Sequence, residues 1–136
     1  MIQNLIPLSE YKESTSARIG GKASHLAKLL SAGFPVLQGY VVPVAVYENF
    51  ISINGLKDKI TNYLETIDFS DEESISKYSQ AIKDLVQSGE MDQDFVKEIA
   101  LTLHETGDDL LWAVCSSTEA EDLPEASFAG QQDKFT

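Results

Sequence analysis

Residues 19–36 read Ile19-Gly-Gly-Lys-Ala-Ser-His-Leu-Ala-Lys-Leu-Leu-Ser-Ala-Gly-Phe-Pro-Val36, a glycine turn followed at once by an amphipathic pattern. From Ala23 onward, leucine and alanine recur at intervals of three and four residues, which is the spacing of one apolar helix face. Gly33 suits the position just after a helix, and Pro35 cannot continue one. The stretch therefore predicts a helix that begins near Ala23 and ends before Gly33.

The rest of the chain predicts a mixed α/β (α+β) fold, in which several helices pack on a small sheet of short strands. Strands are expected within residues 4–8 and 36–42. Helices are expected over 44–53, over 56–67 and from Asp92 to Gly107. A further helix is expected to follow a capping box formed by Ser70 and Glu73. The run Leu110–Cys115 is apolar throughout, which is typical of a central strand buried on both faces. No linker interrupts the chain, so residues 1–136 are expected to form a single domain.

Composition limits the classes of partner. The chain has 136 residues, with 22 acidic and 10 basic side chains and a formal net charge of −12. This charge repels nucleic acid and anionic membranes at long range, so neither is expected as a partner. No apolar run approaches the roughly 18 residues of a membrane span, and no secretory leader is visible, so a cytoplasmic location is expected. The single cysteine excludes an internal disulfide.

The first candidate for chemistry is Gly20-Gly21-Lys22 at the start of the predicted helix. Unpaired backbone N–H groups and the helix dipole favour an anion at such a terminus. Two glycines would let a phosphate approach the backbone, and Lys22 adds a full positive charge. The alternative is an ordinary flexible loop with an exposed lysine, which is the commoner origin of so short a motif. The spacing is not that of a Walker motif.

The second candidate is the long segment that follows the apolar run, from Cys115 to Gln132. It contains two adjacent serines and four carboxylates, namely Glu119, Glu121, Asp122 and Glu125. Carboxylates in a loop can bind a hard cation, but such residues more often form a solvated acidic loop, which is the favoured interpretation. Ser116 and Ser117 have no histidine near them in sequence and are not expected to act as nucleophiles. Cys115, at the end of an apolar run, is expected to be a buried thiol.

At these two segments the chain resembles the family of pyruvate, phosphate dikinase and phosphoenolpyruvate synthase. Ile19-Gly-Gly-Lys-Ala-Ser-His-Leu-Ala-Lys-Leu looks like the opening of that family, and Cys115-Ser-Ser-Thr-Glu-Ala-Glu-Asp-Leu-Pro-Glu-Ala-Ser-Phe-Ala-Gly-Gln-Gln is similar to its longest N-terminal signature. Rifamycin phosphotransferases and glucan, water dikinases share this domain. The resemblance covers the whole chain and implies the N-terminal portion of an ATP-grasp nucleotide-binding domain.

The resemblance also implies roles for individual residues. Lys22 aligns with the lysine that contacts ATP phosphates, beside Gly20 and Gly21. Gly130 aligns with a glycine of a small loop that closes over the phosphates, and Lys134 falls where the family often has threonine. The ligands of Mg²⁺ are implied to lie in a second lobe beyond Thr136, with the phosphohistidine and acceptor domains further on. ATP and those missing domains are thus the expected partners. No catalytic residue or metal ligand is expected within the chain. His25 and His104 are interpreted as structural or surface residues.

Three positions depart from the family pattern. Cys115 stands where the family has an arginine, and a thiol cannot make the bidentate, charge-assisted contacts of a guanidinium. Ala23 replaces the usual fourth residue of the glycine loop, a mild change in a helix. Thr118-Glu119 replaces Ala-Thr and adds a negative charge near the expected polyanion. Lys134 is the one residue expected to offset the missing positive charge.

Three functional hypotheses follow. In the first, the chain is the ATP-binding portion of a phosphoenolpyruvate synthase-like dikinase, which transfers phosphoryl groups from ATP through a phosphohistidine to pyruvate; the fragment alone would not be catalytic. In the second, the arginine-to-Cys115 change marks a non-catalytic nucleotide-binding or regulatory relative. In the third, the acceptor differs, as in a rifamycin-type phosphotransferase or a glucan dikinase. Whether the protein is an enzyme therefore stays open at this point.

Overall fold

The structure is a computed structural model, and it describes residues 4–14, 17–119 and 134–135. Its elements in chain order are β1 (Ile6–Pro7), α1 (Gly21–Ser31), β2 (Tyr40–Val41), α2 (Val44–Ile53), α3 (Leu56–Thr66), α4 (Glu72–Gln87), α5 (Gln93–Thr106), β3 (Val114–Cys115) and β4 (Lys134–Phe135). Within the described residues, five helices and two small antiparallel sheets confirm the predicted mixed α/β class. No helix in these ranges has both the length and the apolar composition that crossing a membrane requires.

The chain divides into two compact units, and the first consists of Met1–Val46 together with Asp94–Thr136. In this unit β1 pairs with β2, with Ile6 opposite Val41 and Pro7 opposite Tyr40. The Leu8 N–H extends the pairing by donating to the carbonyl of Gly39 at 2.9 Å. Burial of one face of this pair against α1 forms the core, which contains Ile6, Leu8, Ile19, Ala23, Ala27 and Val41.

Helix α1 ends where the sequence predicts and begins two residues earlier. Gly33 has a φ of +86°, its N–H donates to Leu30 O, and the Phe34 N–H donates to Leu29 O. This pair of hydrogen bonds is a Schellman motif, which satisfies carbonyls that the helix end leaves open. At the other end, Gly21 and Lys22 are already helical. Neither residue contributes to the apolar repeat, so periodicity placed the start at Ala23.

The second unit, Tyr47–Gln93, contains the helices α3 and α4, which pack against each other. Tyr63 and Tyr78 lie across this pair with ring centroids 5.9 Å apart. The predicted capping box is wrong by one residue, because Asp71 is the N-cap of α4 and its Oδ1 accepts from the Glu73 N–H at 3.2 Å. Ser70 instead donates its hydroxyl and its N–H to Asp68 Oδ1. Asp71 competes well for the cap because aspartate and serine are comparable N-caps.

The predicted central strand at Leu110–Cys115 is also wrong. Only Val114 and Cys115 are in strand conformation, and among the described residues β3 pairs with β4 alone. Leu111 is fully exposed and Val114 is 60% exposed. An apolar run predicts a strand buried on both faces only if other layers cover both faces. In the structure Trp112 is partly covered, with its ring centroid 6.1 Å from that of Tyr40, and the other residues of the run are exposed.

Candidate functional site

The glycine turn lies at the N-terminus of α1, in the first unit. Gly20 is the N-cap, with φ +74° and ψ 166°, and it makes no side-chain capping bond because it has no side chain. Gly21 is buried and Lys22 is half-buried. No carboxylate of the described residues lies within 4.0 Å of the Lys22 ammonium. Its positive charge is therefore not neutralised by a carboxylate of the described residues.

The segment Cys115–Glu119, called here the 115–119 segment, packs directly on this turn. The Gly21 N–H donates to the carbonyl of Thr118 at 3.1 Å, and the Ala23 N–H donates to Ser117 Oγ at 3.0 Å. The Ser117 hydroxyl in turn donates to the carbonyl of Ile19 at 2.8 Å. The structure thus brings together the two stretches that the sequence singled out, which are separated by more than 90 residues.

Close packing at Gly20 explains why this position has no side chain. A Cβ built on Gly20 would lie 2.5 Å from the Ser117 carbonyl oxygen and 2.7 Å from Ser117 Oγ. Backbone cannot move aside as a flexible side chain can, and a positive φ already disfavours other residues. The space beside Gly20 is therefore filled by the 115–119 segment, whereas the sequence predicts that a phosphate approaches the backbone there.

The same contacts change which backbone donors remain at the helix terminus. An α-helix leaves its first N–H groups without partners inside the helix. Here the Thr118 carbonyl accepts from the Gly21 N–H, and Ser117 Oγ accepts from the Ala23 N–H. The Gly20 carbonyl accepts from the Ser24 N–H at 3.1 Å. In the part of the chain described, the first-turn N–H that lacks an acceptor is that of Lys22. One residue thus offers a free amide and an ammonium to an anion at the positive end of the helix dipole.

An ion pair joins the other end of the 115–119 segment to the residue before Ile19. Arg18 Nη1 lies 3.0 Å from Glu119 Oε2, and both side chains are about half-exposed. Arg18 is the one arginine in the sequence. The sequence predicts that Glu119 adds negative charge near a polyanion, but the structure places Arg18 against it, so much of that charge is neutralised locally.

Two further candidate residues of the first unit lie in the strand pair β3–β4. Cys115 is directly opposite Lys134 in the antiparallel pair β3–β4. Cys115 is exposed, so the predicted burial of its thiol is wrong. Val114, the residue before it in the apolar run, is exposed as well. Gly130, the remaining candidate, lies outside the described residues.

The two histidines lie on the surface. His25 is exposed on α1, and His104 near the end of α5 contacts Asp108, with Nδ1 and Oδ1 2.8 Å apart. Among the described residues, no group of three or more His, Cys, Asp and Glu side chains is placed to hold a metal ion. At the start of α1, the ammonium and the amide of Lys22 are instead suited to an anion.

Sequence reasoning missed Ser117 and Arg18 as members of this site. Ser117 was judged only as a nucleophile, and Arg18 was not singled out. Their partners lie 94 to 101 residues away in the chain. No local spacing records such a contact, so the signal is tertiary.

Comparison with known proteins places these features in a family. Residues 16–136 match the family model described as pyruvate phosphate dikinase, AMP/ATP-binding domain. The chain is 42% identical over 121 residues to a probable phosphoenolpyruvate synthase of Methanothermobacter thermautotrophicus, covering 85% of the chain. It is 32% identical over 142 residues to a phosphoenolpyruvate synthase of Pseudomonas aeruginosa, covering 99% of the chain. It is also 33% identical over 132 residues to a rifampicin phosphotransferase of Bacillus cereus, covering 96% of the chain.

The relatives are much longer than this chain. It spans 18% of the Methanothermobacter and Pseudomonas proteins and 15% of the Bacillus protein. The family model nevertheless extends over nearly all of the sequence and includes both the glycine turn and the 115–119 segment. The chain therefore belongs to the pyruvate phosphate dikinase AMP/ATP-binding domain family.

Proposed function

We propose that the chain is the ATP-phosphate-binding beginning of a phosphoenolpyruvate synthase-like dikinase. The observation that supports this most strongly is the family match over residues 16–136. The geometry agrees with it, because the described structure leaves the amide and the ammonium of Lys22 open at a helix N-terminus. Such a terminus favours phosphate groups.

In this proposal residues 1–136 form one partial ATP-grasp domain in the cytoplasm. Lys22 binds the phosphates of ATP as a point charge, with its own N–H as a second donor. Gly20 and Gly21 shape the turn, and Gly130 closes over the phosphates. Lys134, opposite Cys115 on the paired strand, provides a positive charge where Cys115 has none. The roles of Gly130 and Lys134 rest on the resemblance, and those of Gly20, Gly21 and Lys22 rest also on their placement at the start of α1.

Magnesium enters this proposal with the nucleotide. In phosphoryl transfer the metal bridges and neutralises phosphate oxygens. The described residues do not form a cluster suited to a metal ion, so the protein's ligands for Mg²⁺ are proposed to lie in a second lobe beyond this chain. The phosphohistidine and the pyruvate site are proposed for the same remainder, in line with the greater length of the relatives. The 136 residues alone are expected to bind ATP weakly and not to turn it over.

Two alternatives remain as candidates. The 33% identity to a rifampicin phosphotransferase favours a different acceptor with the same ATP-binding part. The exposed thiol of Cys115, where the resemblance places an arginine, favours a non-catalytic nucleotide-binding relative. The candidates are distinguished by incubating the full encoded polypeptide with ATP and either pyruvate or rifampicin. Phosphorylated pyruvate supports the dikinase, phosphorylated rifampicin supports the first alternative, and no phosphorylated product with either supports the second.

Calorimetry with Mg-ATP on the full encoded polypeptide tests the site. Losing a charge-assisted contact costs about 1.5–3 kcal/mol, so Lys22→Ala is expected to weaken ATP binding roughly ten- to a hundredfold. Lys97→Ala removes the same charge from an exposed position on α5 and is expected to leave the affinity unchanged. Unchanged affinity in Lys22→Ala would contradict the assignment.

The Cys115→Arg variant then tests the non-catalytic alternative. If the native protein binds Mg-ATP in the micromolar to millimolar range typical of enzymes, the cysteine is compatible with nucleotide binding. Binding that is measurable only after Cys115→Arg would identify a degenerate site instead. Turnover by the purified 136-residue chain would contradict the proposal that catalysis needs the remainder.

A further inference from the structure

Helix α1 receives its N-terminal cap from a residue 94 positions away. Ordinarily the side chain of the N-cap residue accepts a hydrogen bond from the second or third helical N–H. Here the N-cap is Gly20, which has no side chain to offer. Ser117 Oγ accepts from Ala23, the third helical residue, at 3.0 Å. The bond that a local serine or threonine would make is thus made by Ser117 of the 115–119 segment.

The same hydroxyl also holds the residue before the turn. Ser117 donates to Ile19 O at 2.8 Å, so one oxygen joins the backbone on both sides of Gly20-Gly21. The Thr118 carbonyl fastens Gly21 from the same segment. Lys22 lies between two fastened residues, Gly21 and Ala23, and the described structure gives its own N–H no acceptor. The backbone of the proposed phosphate-binding lysine is therefore held in place by its neighbours.

We propose that Ser117 is a positioning residue of the nucleotide site, which caps α1 and thereby fixes Lys22 for the phosphates of the ligand. This inference rests on the proposed function and adds a residue that acts through Lys22. A lysine side chain has several rotatable bonds, so a mobile backbone would spread its ammonium over a larger volume and weaken a point-charge contact. The hydroxyl of Ser117 prevents this without touching the nucleotide.

The role differs measurably from that of a cap that only stabilises the fold. A residue that acts through Lys22 affects the phosphates and leaves the adenosine part of the ligand alone. A residue needed only for folding affects both ligands to the same degree. The ratio of the dissociation constants for adenosine and Mg-ATP separates the two roles, because it cancels any loss of folded protein.

The experiment measures both ligands by calorimetry on the full encoded polypeptide and its variants. Ser117→Ala is expected to weaken Mg-ATP binding about five- to tenfold, the size of a lost cap, and adenosine binding less than about twofold. Ser117→Cys keeps the shape and has a weaker hydrogen-bonding group, so it is expected to give a smaller loss of the same kind. Ser24→Ala, a serine change one residue beyond Ala23 on α1, is the matched control and is expected to change neither constant.

A double-variant cycle completes the test. If Ser117 acts through Lys22, Ser117→Ala combined with Lys22→Ala is expected to bind Mg-ATP no more weakly than Lys22→Ala alone. The inference about Ser117 would be overturned if the affinity losses of the two single variants multiplied in the double variant, or if the ratio of the two dissociation constants were unchanged in both Ser117 variants. A strong effect of Lys22→Ala would in that case still support the proposed function. No effect of Lys22→Ala, or no binding of ATP by the unsubstituted protein, would overturn the proposed function itself.

Discussion

The glycine turn before α1 and the helix pair α3–α4 are held by hydrogen bonds of very different sequence separation. Around the turn, the bonds from Ser117 and from Arg18 join residues 94 to 101 positions apart. In the second unit, the cap of α4 joins residues two apart, and the contact of Asn54 with Glu90 joins residues 36 apart. Local bonds can form as soon as a helix forms, whereas distant ones require the chain to close a long loop first. The turn should therefore be more sensitive to changes at its contact than the helix pair is to changes at its caps.

The largest effect is expected at Gly20. Gly20→Ala puts a Cβ 2.5 Å from the Ser117 carbonyl oxygen at a positive φ, so we expect a loss of about 3 kcal/mol in the free energy of unfolding. Gly33→Ala is the matched control, because Gly33 also has a positive φ but no atom lies within 4 Å of its Cβ position. It should cost only about 1–2 kcal/mol, the backbone part alone. Urea unfolding of both variants measures the difference. Equal losses in the free energy of unfolding would show that the contact with Ser117 is not the cause.

A smaller effect is expected at Asn54 in the second unit. Its side chain donates to the Glu90 carbonyl at 2.9 Å and accepts from the Glu90 N–H at 2.8 Å, which joins the end of α2 to the chain after α4. Asn54→Ala removes both bonds, and also the one that the side chain donates to the Phe50 carbonyl at 2.9 Å, so we expect a loss of about 1–2 kcal/mol in the free energy of unfolding. ATP affinity should be unchanged in the same variant, since Asn54 is not among the proposed binding residues. A drop in ATP affinity larger than the loss of folded protein would contradict the separation of the two regions.

Breaking the ion pair between Arg18 and Glu119 is expected to change the ATP affinity more than the free energy of unfolding. Glu119→Gln removes a half-exposed pair, which is expected to cost less than about 1 kcal/mol. ATP affinity should rise about two- to fivefold, because one negative charge is lost and Glu119 no longer offsets the positive charge of Arg18. The gain should shrink in high salt, since exposed charges are screened. An affinity that stays the same in low salt would show that this pair does not influence the ligand.

The smallest effect is expected at Asp68, before α4. Hydrogen bonds from the Ser70 side chain, and then from its backbone N–H, lower the pKa of the exposed Asp68 carboxyl below its ordinary value of 3.8. A lowered folded-state pKa means that this small stabilisation is present above the unfolded-state pKa and is lost as the pH falls through the folded-state value. Ser70→Ala removes the larger cause and should raise the pKa of Asp68 toward 3.8. An NMR titration of the carboxyl measures the shift, and an unchanged midpoint would show that Ser70 is not its cause.

Prediction from the sequence succeeded where the signals are local. The end of α1 at Gly33 and the bounds of α2 followed from periodicity and glycine positions. The cap of α4 was placed one residue too early because Ser70 and Asp71 are comparable caps, and only the Asp68 contact with Ser70 decides between them. The motif Gly20-Gly21-Lys22 was correctly placed at a helix start, although the use of its amides was not foreseen.

The sequence alone determined the class of fold, the helix positions to within about two residues at α1 and α4, and the two motifs that connect the chain to its family, because each is a property of neighbouring residues. Only the tertiary structure decided that the space beside Gly20 belongs to Ser117, that Glu119 faces Arg18, and that Cys115 is exposed. These outcomes depend on which distant segments meet and on which faces remain uncovered. No spacing within one segment encodes that, since the contacts join residues more than 90 positions apart.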